Sequence, residues 1–189
     1  YGPKGIGMLY VKRGVKLHPI IHGGGQENKM RSGTQNIPYI VGFTKSLELA
    51  QEEREVESQR IATLRDKLVK GIEENVPKVF VNGHPTERLP NSANIAILDI
   101  EGEAMMLYLN EYGICTSSGS ACTSQSLDPS HVILAMGLPY EVAHGTLRFT
   151  LGKRTTEDEI NKIIEVIPGI VDALRRISPV NMTMEEVMN

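Results

Sequence analysis

The 189-residue chain contains no tryptophan and only six tyrosines and three phenylalanines. An aromatic-rich binding surface is therefore excluded. Two cysteines are too few for a disulfide-built scaffold, and they fit a reducing compartment. No apolar run approaches the roughly 20 residues that a membrane helix needs. A basic excess is missing too: 20 Lys and Arg stand against 23 Asp and Glu, for a net charge of −3. That argues against a general nucleic-acid surface. What remains is ordinary: 40% hydrophobic and 23% charged residues, enough for one large soluble domain or two small ones. The opening Tyr1-Gly2-Pro3-Lys4-Gly5 reads as the middle of a turn, so a fragment of something longer is expected.

Hydrophobic periodicity predicts a mixed α/β or α+β chain. Residues 5–13 and 15–21 read as strands, the second demoted to an edge by Pro19. The glycine-rich, polar segment from His22 to Thr34 fits neither period. Asn36-Ile37-Pro38 is a helix-start signal, and 37–75 reads as one long helix or two in line. Its polar middle, 51–60, reads as a bridge between two lobes. Lys78–Asn82 reads as a strand ending in a turn at Asn82-Gly83-His84-Pro85, and Asn94–Ile100 reads as a better strand. A short helix is expected over Glu103–Glu111, a strand over Gly113–Thr116, a loop over 116–126 and a helical turn over Pro129–Met136. Thr146–Leu151 alternates as a strand. Thr156–Glu159 is a capping box. It opens a helix whose buried face runs through Ile160, Ile163, Ile164, Ile167, Ile170, Val171, Leu174 and Ile177, with a kink expected at Pro168.

Three features could carry chemistry. Cys122 lies in Ser117-Ser118-Gly119-Ser120-Ala121-Cys122-Thr123-Ser124, a run with almost nothing to bury. It is either an incidental surface thiol or an exposed nucleophile favoured by nearby donors and a following helix N-terminus. Cys115, on an apolar stretch, is expected in the core, and a Cys115–Cys122 disulfide is disfavoured in a reducing compartment. Arg148 stands among apolar strand neighbours. It either faces solvent or holds an anion, for which its planar fork suits a carboxylate. The segment His22–Thr34 is either a plain glycine loop or an anion cradle. It is neither a P-loop nor a dinucleotide fingerprint. The five histidines show no ligand spacing with the cysteines, so no metal site is expected.

Taken in order, YGPKGIGMLYVKR, HGGGQENKMRSGT, SSGSACTS and LRFTLG with its capped helix resemble the group I, NifS/IscS-like cysteine desulfurases. These are pyridoxal-phosphate enzymes of the class V aminotransferase family, fold type I, and the resemblance covers essentially the whole chain. It implies residues 1–46 as the end of a large cofactor domain and 47–189 as a small C-terminal domain carrying the active-site loop 116–126. It implies that Cys122 takes sulfur from L-cysteine as a persulfide, leaving alanine. Arg148 would hold the substrate carboxylate. Thr34 would reach the pyridoxal phosphate of a neighbouring subunit in a homodimer. An iron–sulfur scaffold protein would accept the sulfur, in a cytoplasmic setting, with no nucleic acid or membrane partner.

One departure matters. The family's cofactor-bearing lysine matches a position just ahead of Tyr1, and Lys4 matches a non-catalytic turn lysine instead. The chain alone is therefore expected to be inactive and to bind no cofactor covalently. Residues 117–126 are expected to be the least ordered internal segment. Three other readings compete. One is a selenocysteine lyase or another class V enzyme. Another is a non-catalytic module that docks a scaffold. The last is an unrelated α/β domain with an accidental cysteine. The tail Met182–Asn189 is left open as a partner contact or a frayed end.

Overall fold

The computed structural model describes residues 1–118 and 129–188. The chain divides into two compact units, Tyr1–Glu55 and Val56–Asn189.

In the first unit the strands expected over 5–13 and 15–21 do not form. A strand needs a neighbour to pair its backbone groups. Here the backbone makes a turn bond from Val15 N to Lys12 O instead, and Met8, Leu9 and Tyr10 stand exposed. The glycine-rich segment closes on itself. Ser32 is buried and its Oγ donates to Gly24 O at 2.8 Å, while Gln26 Oε1 accepts from Gly33 N at 3.2 Å. Inside it Glu27, Asn28 and Lys29 all take positive φ, at 51°, 53° and 65°. Three successive non-glycine residues in the left-handed region cost about 1–2 kcal/mol each.

Helix α1, Ile37–Asn75, is one continuous element of 39 residues. Asn36 caps it as expected, with Oδ1 accepting from Tyr39 N at 3.3 Å. The boundary between the units falls within this helix. Its buried residues are Leu64, Arg65, Leu68 and Ile72, all C-terminal to the polar stretch. The polar stretch is not inert: Arg60 donates to Thr155 O and Lys153 O, both at 2.9 Å.

The second unit is built on a four-stranded antiparallel sheet in the order β1-β2-β4-β3. The strands are β1 (Val79–Val81), β2 (Ser92–Ile97), β3 (Ser117–Ser118) and β4 (Thr146–Thr150). Two-residue alternation sorts their side chains onto two faces. Val79, Val81, Ala93, Ile95, Ile97, Leu147 and Phe149 turn to the main core. There they meet α1, α2 (Gly102–Glu111) and α5 (Glu157–Ile177) through Leu68, Ile72, Met105, Leu109, Ile160, Ile167 and Val171. On the other face a smaller cluster of Phe80, Ala96, Leu98 and Val142 is covered by Leu138, Met182, Met184 and Val187. These come from around the short helices α4 (Tyr140–His144) and α6 (Met184–Met188). The tail is thus packed over Met182–Val187, and Met182 N donates to the buried Asp99 at 2.7 Å. Lys78 Nζ joins Asp99 and Asn181 at 2.8 and 2.7 Å.

The capping box of α5 forms as read. Glu159 N donates to Thr156 Oγ1 at 3.3 Å and Thr156 N to Glu159 Oε2 at 2.8 Å. The helix runs unbroken through Pro168. Two expectations fail at the edges of these elements. Ile177 is exposed, because the helix runs out past the sheet there. The strand expected over Gly113–Thr116 forms further along the chain, as β3. Gly113 takes φ 73° to end α2, which leaves 114–116 as connection. Cys115 is consequently exposed rather than buried, since no strand among the described residues pairs with it.

Candidate functional site

Strand β4 carries the pattern Thr-Leu-Arg-Phe-Thr. Leu147 and Phe149 bury on the core side, which turns Arg148 to the opposite face, where it is exposed. Helix α3 (His131–Ala135) and α4 lead into this strand. Gly145 and Gly102 allow the tight approach. A Cβ on Gly145 would fall 2.3 Å from Ile97 O, and one on Gly102 would fall 2.7 Å from His144 O.

The sheet register then aligns one row across all four strands. Arg148 faces Asn94 of β2 on one side and Ser117 of β3 on the other. One step beyond Val81, Asn82 N donates to Asn94 O at 2.8 Å, which continues the row. Because the Asn94 carbonyl points to the β1 side, Asn94 and Arg148 form a narrow, non-hydrogen-bonded pair, the arrangement with the closest side chains. Asn82 Nδ2 donates to Asn94 Oδ1 at 2.7 Å. Asn82 is buried, and its own Oδ1 has no partner among the described residues. No hydrogen bond or ion pair engages the Arg148 guanidinium among the described residues. Sequence reasoning missed both asparagines: by pattern alone Asn82 is a turn residue and Asn94 a strand residue. The available signal is a polar side chain at an inner position of an otherwise apolar strand.

Of the three sequence candidates, Arg148 lies in this row. Cys122, and the disorder expected of its loop beyond Ser118, fall outside the described residues. Just before it in the chain, Ser117 is the direct partner of Arg148. Cys122 follows it by five residues, a tether of at most about 18 Å. Thr34 belongs to the first unit, exposed after the closed glycine segment.

A cavity of about 320 Å³ opens elsewhere, on the core side of β4, where Phe149, Leu151 and Ile160 line it with Cys115 and Lys162. It does not include Arg148. Among the described residues no group of three or more His, Cys, Asp or Glu side chains could hold a metal. No described helix is long and apolar enough to cross a membrane. The perturbed carboxylates lie outside the row. Glu157 sits below its ordinary range because Lys67 hydrogen-bonds it, and Glu57 does so because of Arg60.

Comparison with known proteins gives a consistent picture. The family model of class-V aminotransferases matches residues 1–163. The cysteine desulfurase IscS of Methanosarcina thermophila is 49% identical over 94% of this chain and 44% of its own length. Cysteine desulfurase 2 of Trichormus variabilis is 52% identical over 95% of this chain and 45% of its own length. A solved NifS-like protein superposes with a TM-score of 0.79 and 36% identity, over 92% of this chain and 44% of its own. The chain therefore spans somewhat under half the length of the relatives it matches, and its mixed α/β fold is that of the NifS-like enzymes.

Proposed function

We propose, on the premise that this chain belongs to the class-V aminotransferase family, that it is the C-terminal half of a cysteine desulfurase. One observation carries the reading beyond the relatives' names. An arginine with no partner among the described residues stands on the sheet directly beside Ser117, five residues before Cys122. A carboxylate held bidentately at Arg148 would lie within the tether's reach of the thiol.

In this reading Arg148 fixes the carboxylate of L-cysteine, and Cys122 as thiolate attacks the substrate sulfur. A sulfur–sulfur bond forms while the substrate's carbon–sulfur bond breaks. The electron pair left on the substrate carbon takes up a proton, and alanine departs. Cys122 keeps the sulfur at the oxidation level of a persulfide. Pyridoxal phosphate, when bound, supplies the electron sink that lets the carbon–sulfur bond break. The residues present fit its surroundings: the Thr34 hydroxyl suits a phosphate, and Arg148, which has no partner among the described residues, suits a bound amino acid's carboxylate. No lysine here matches the family's cofactor lysine, so covalent attachment belongs to the other half of the relatives' length. The division of labour between residues 1–46, as part of a cofactor domain, and 47–189, as the thiol-bearing domain, is part of the proposal. So are a homodimer that shares Thr34 between subunits, an iron–sulfur scaffold as sulfur acceptor and a cytoplasmic setting.

The test is spectroscopic and chemical. The purified 189-residue chain, mixed with pyridoxal phosphate, should show no lysine-adduct band between about 320 and 430 nm. Co-expressed with a lysine-bearing N-terminal half from a relative, it should gain the band and release alanine from L-cysteine. Alanine release that survives Cys122→Ser would refute the assignment of the sulfur nucleophile.

A further inference from the structure

The row beside Arg148 contains more than the arginine. Asn94 is its narrow-pair partner, and the Asn94 amide has a defined sense. Its Oδ1 is taken by Asn82 Nδ2 at 2.7 Å. An amide whose oxygen turns toward β1 turns its NH₂ group away from β1. That group donates to nothing among the described residues, and neither does the guanidinium next to it. Among the described residues these two neighbouring groups are thus donors with no acceptor engaged. Two adjacent donor groups, one of them charged, are complementary to a carboxylate and repel a cation. A swap of both amides together would keep their bond but aim the Asn94 oxygen at Arg148; in the arrangement seen, the Asn94 oxygen is on the Asn82 side.

We infer that Asn94 is a second substrate-binding residue: its Nδ2 hydrogen-bonds the same amino-acid carboxylate that Arg148 holds, and Asn82 acts through it as the positioning residue. The inference rests on the Arg148 reading and deepens it. It also explains why two asparagines interrupt the apolar alternation here. A carboxylate on the guanidinium alone could rotate or slide along the fork. A third donor from the neighbouring strand fixes its plane, and with it the direction in which the rest of the amino acid leaves the sheet. Burial of Asn82 keeps the relay rigid, because a buried side chain has few alternative partners.

The experiment uses the full 189-residue chain and L-alanine as the probe, with ethylamine as the same molecule lacking the carboxylate. Side-chain ¹H–¹⁵N signals of Asn94 and of Arg148 Nε are followed by NMR during titration. Alanine should shift both, and ethylamine neither. Asn94→Ala should weaken the alanine response of Arg148 about tenfold, equivalent to about 1.4 kcal/mol. Asn82→Ala should weaken it about threefold. Asn94→Asp keeps the acceptor for Asn82 and the fold, but replaces the donor by a charge that pairs with Arg148, so the alanine response should vanish. An Asn94 signal that ignores alanine in the wild type overturns the inference, as does an unchanged affinity in Asn94→Asp. If Arg148→Ala leaves the alanine response of Asn94 intact, the Arg148 reading fails. If Arg148→Ala abolishes binding while Asn94→Ala costs nothing, only the present inference fails.

Discussion

Gly145 is the sharpest structural lever on the Arg148 row. It opens the turn into β4 with φ −82°, a value any residue can adopt, so no torsional need keeps it a glycine. Space does. A Cβ there would lie 2.3 Å from Ile97 O and 3.1 Å from Ile100 O, both backbone atoms that no rotamer change can move. Relief of about 1 Å requires β4 to slide away from β2, at the expense of the bond from Ile97 N to Gly145 O at 3.0 Å. Overpacking of this kind costs about 1–3 kcal/mol, and the lost hydrogen bond adds about 1 kcal/mol. Gly145→Ala should therefore destabilise by about 2–4 kcal/mol, a fall in Tm of about 10 °C for a domain of this size. Gly169 is the control. It sits inside α5, where an added methyl would meet no neighbouring atom within 4 Å. Gly169→Ala should gain about 0.5–1 kcal/mol from helix propensity. Thermal unfolding followed by circular dichroism measures both. A Gly145→Ala chain melting within about 3 °C of the wild type would refute the close packing of the turn on β2, and with it the fixed register that places Arg148 beside Asn94.

Further outcomes test other parts of the molecule. Cys122→Ser should abolish persulfide formation in the reconstituted enzyme, whereas Cys115→Ser should leave it near the wild-type rate. Mass spectrometry of the trapped persulfide distinguishes them. Leu68→Ala removes a fully buried side chain where α1 meets the sheet and should cost about 2–5 kcal/mol in chemical denaturation. The Lys67 partner depresses the Glu157 pKa, so the folded state binds that proton more weakly than the unfolded chain. The resulting stability is present above the ordinary glutamate pKa of about 4.3 and is lost as pH falls through and below it. Glu157→Gln should accordingly show a smaller drop in Tm between about pH 6 and pH 3 than the wild type. Added salt should shrink the difference, since the pair is exposed.

Much of this architecture was legible in one dimension. Local signals mark it: the Asn36 cap and Pro38 start α1 where expected, the Thr156–Glu159 box starts α5, and the apolar stripe of α5 marks its buried side as far as Leu174. Alternation in Thr146–Thr150 already separates Arg148 from Leu147 and Phe149, so the arginine's face follows from sequence. The four motifs in order were enough to point to a family, because loop composition and spacing are properties of the chain.

Pairing was not legible, because register is a contact between segments far apart in sequence. Residues 5–21 have strand-like composition, yet no strand among the described residues pairs with them and they stay irregular. The two residues of β3 have almost no strand propensity and are strands only because β4 lies beside them. Cys115 is exposed because the chain pairs later than its apolar pattern suggests. Asn82, Asn94, Arg148 and Ser117 share one row only through the antiparallel registers of β1, β2, β4 and β3. Sequence determined which residues could bear chemistry; the ladder of backbone hydrogen bonds decided which of them stand side by side.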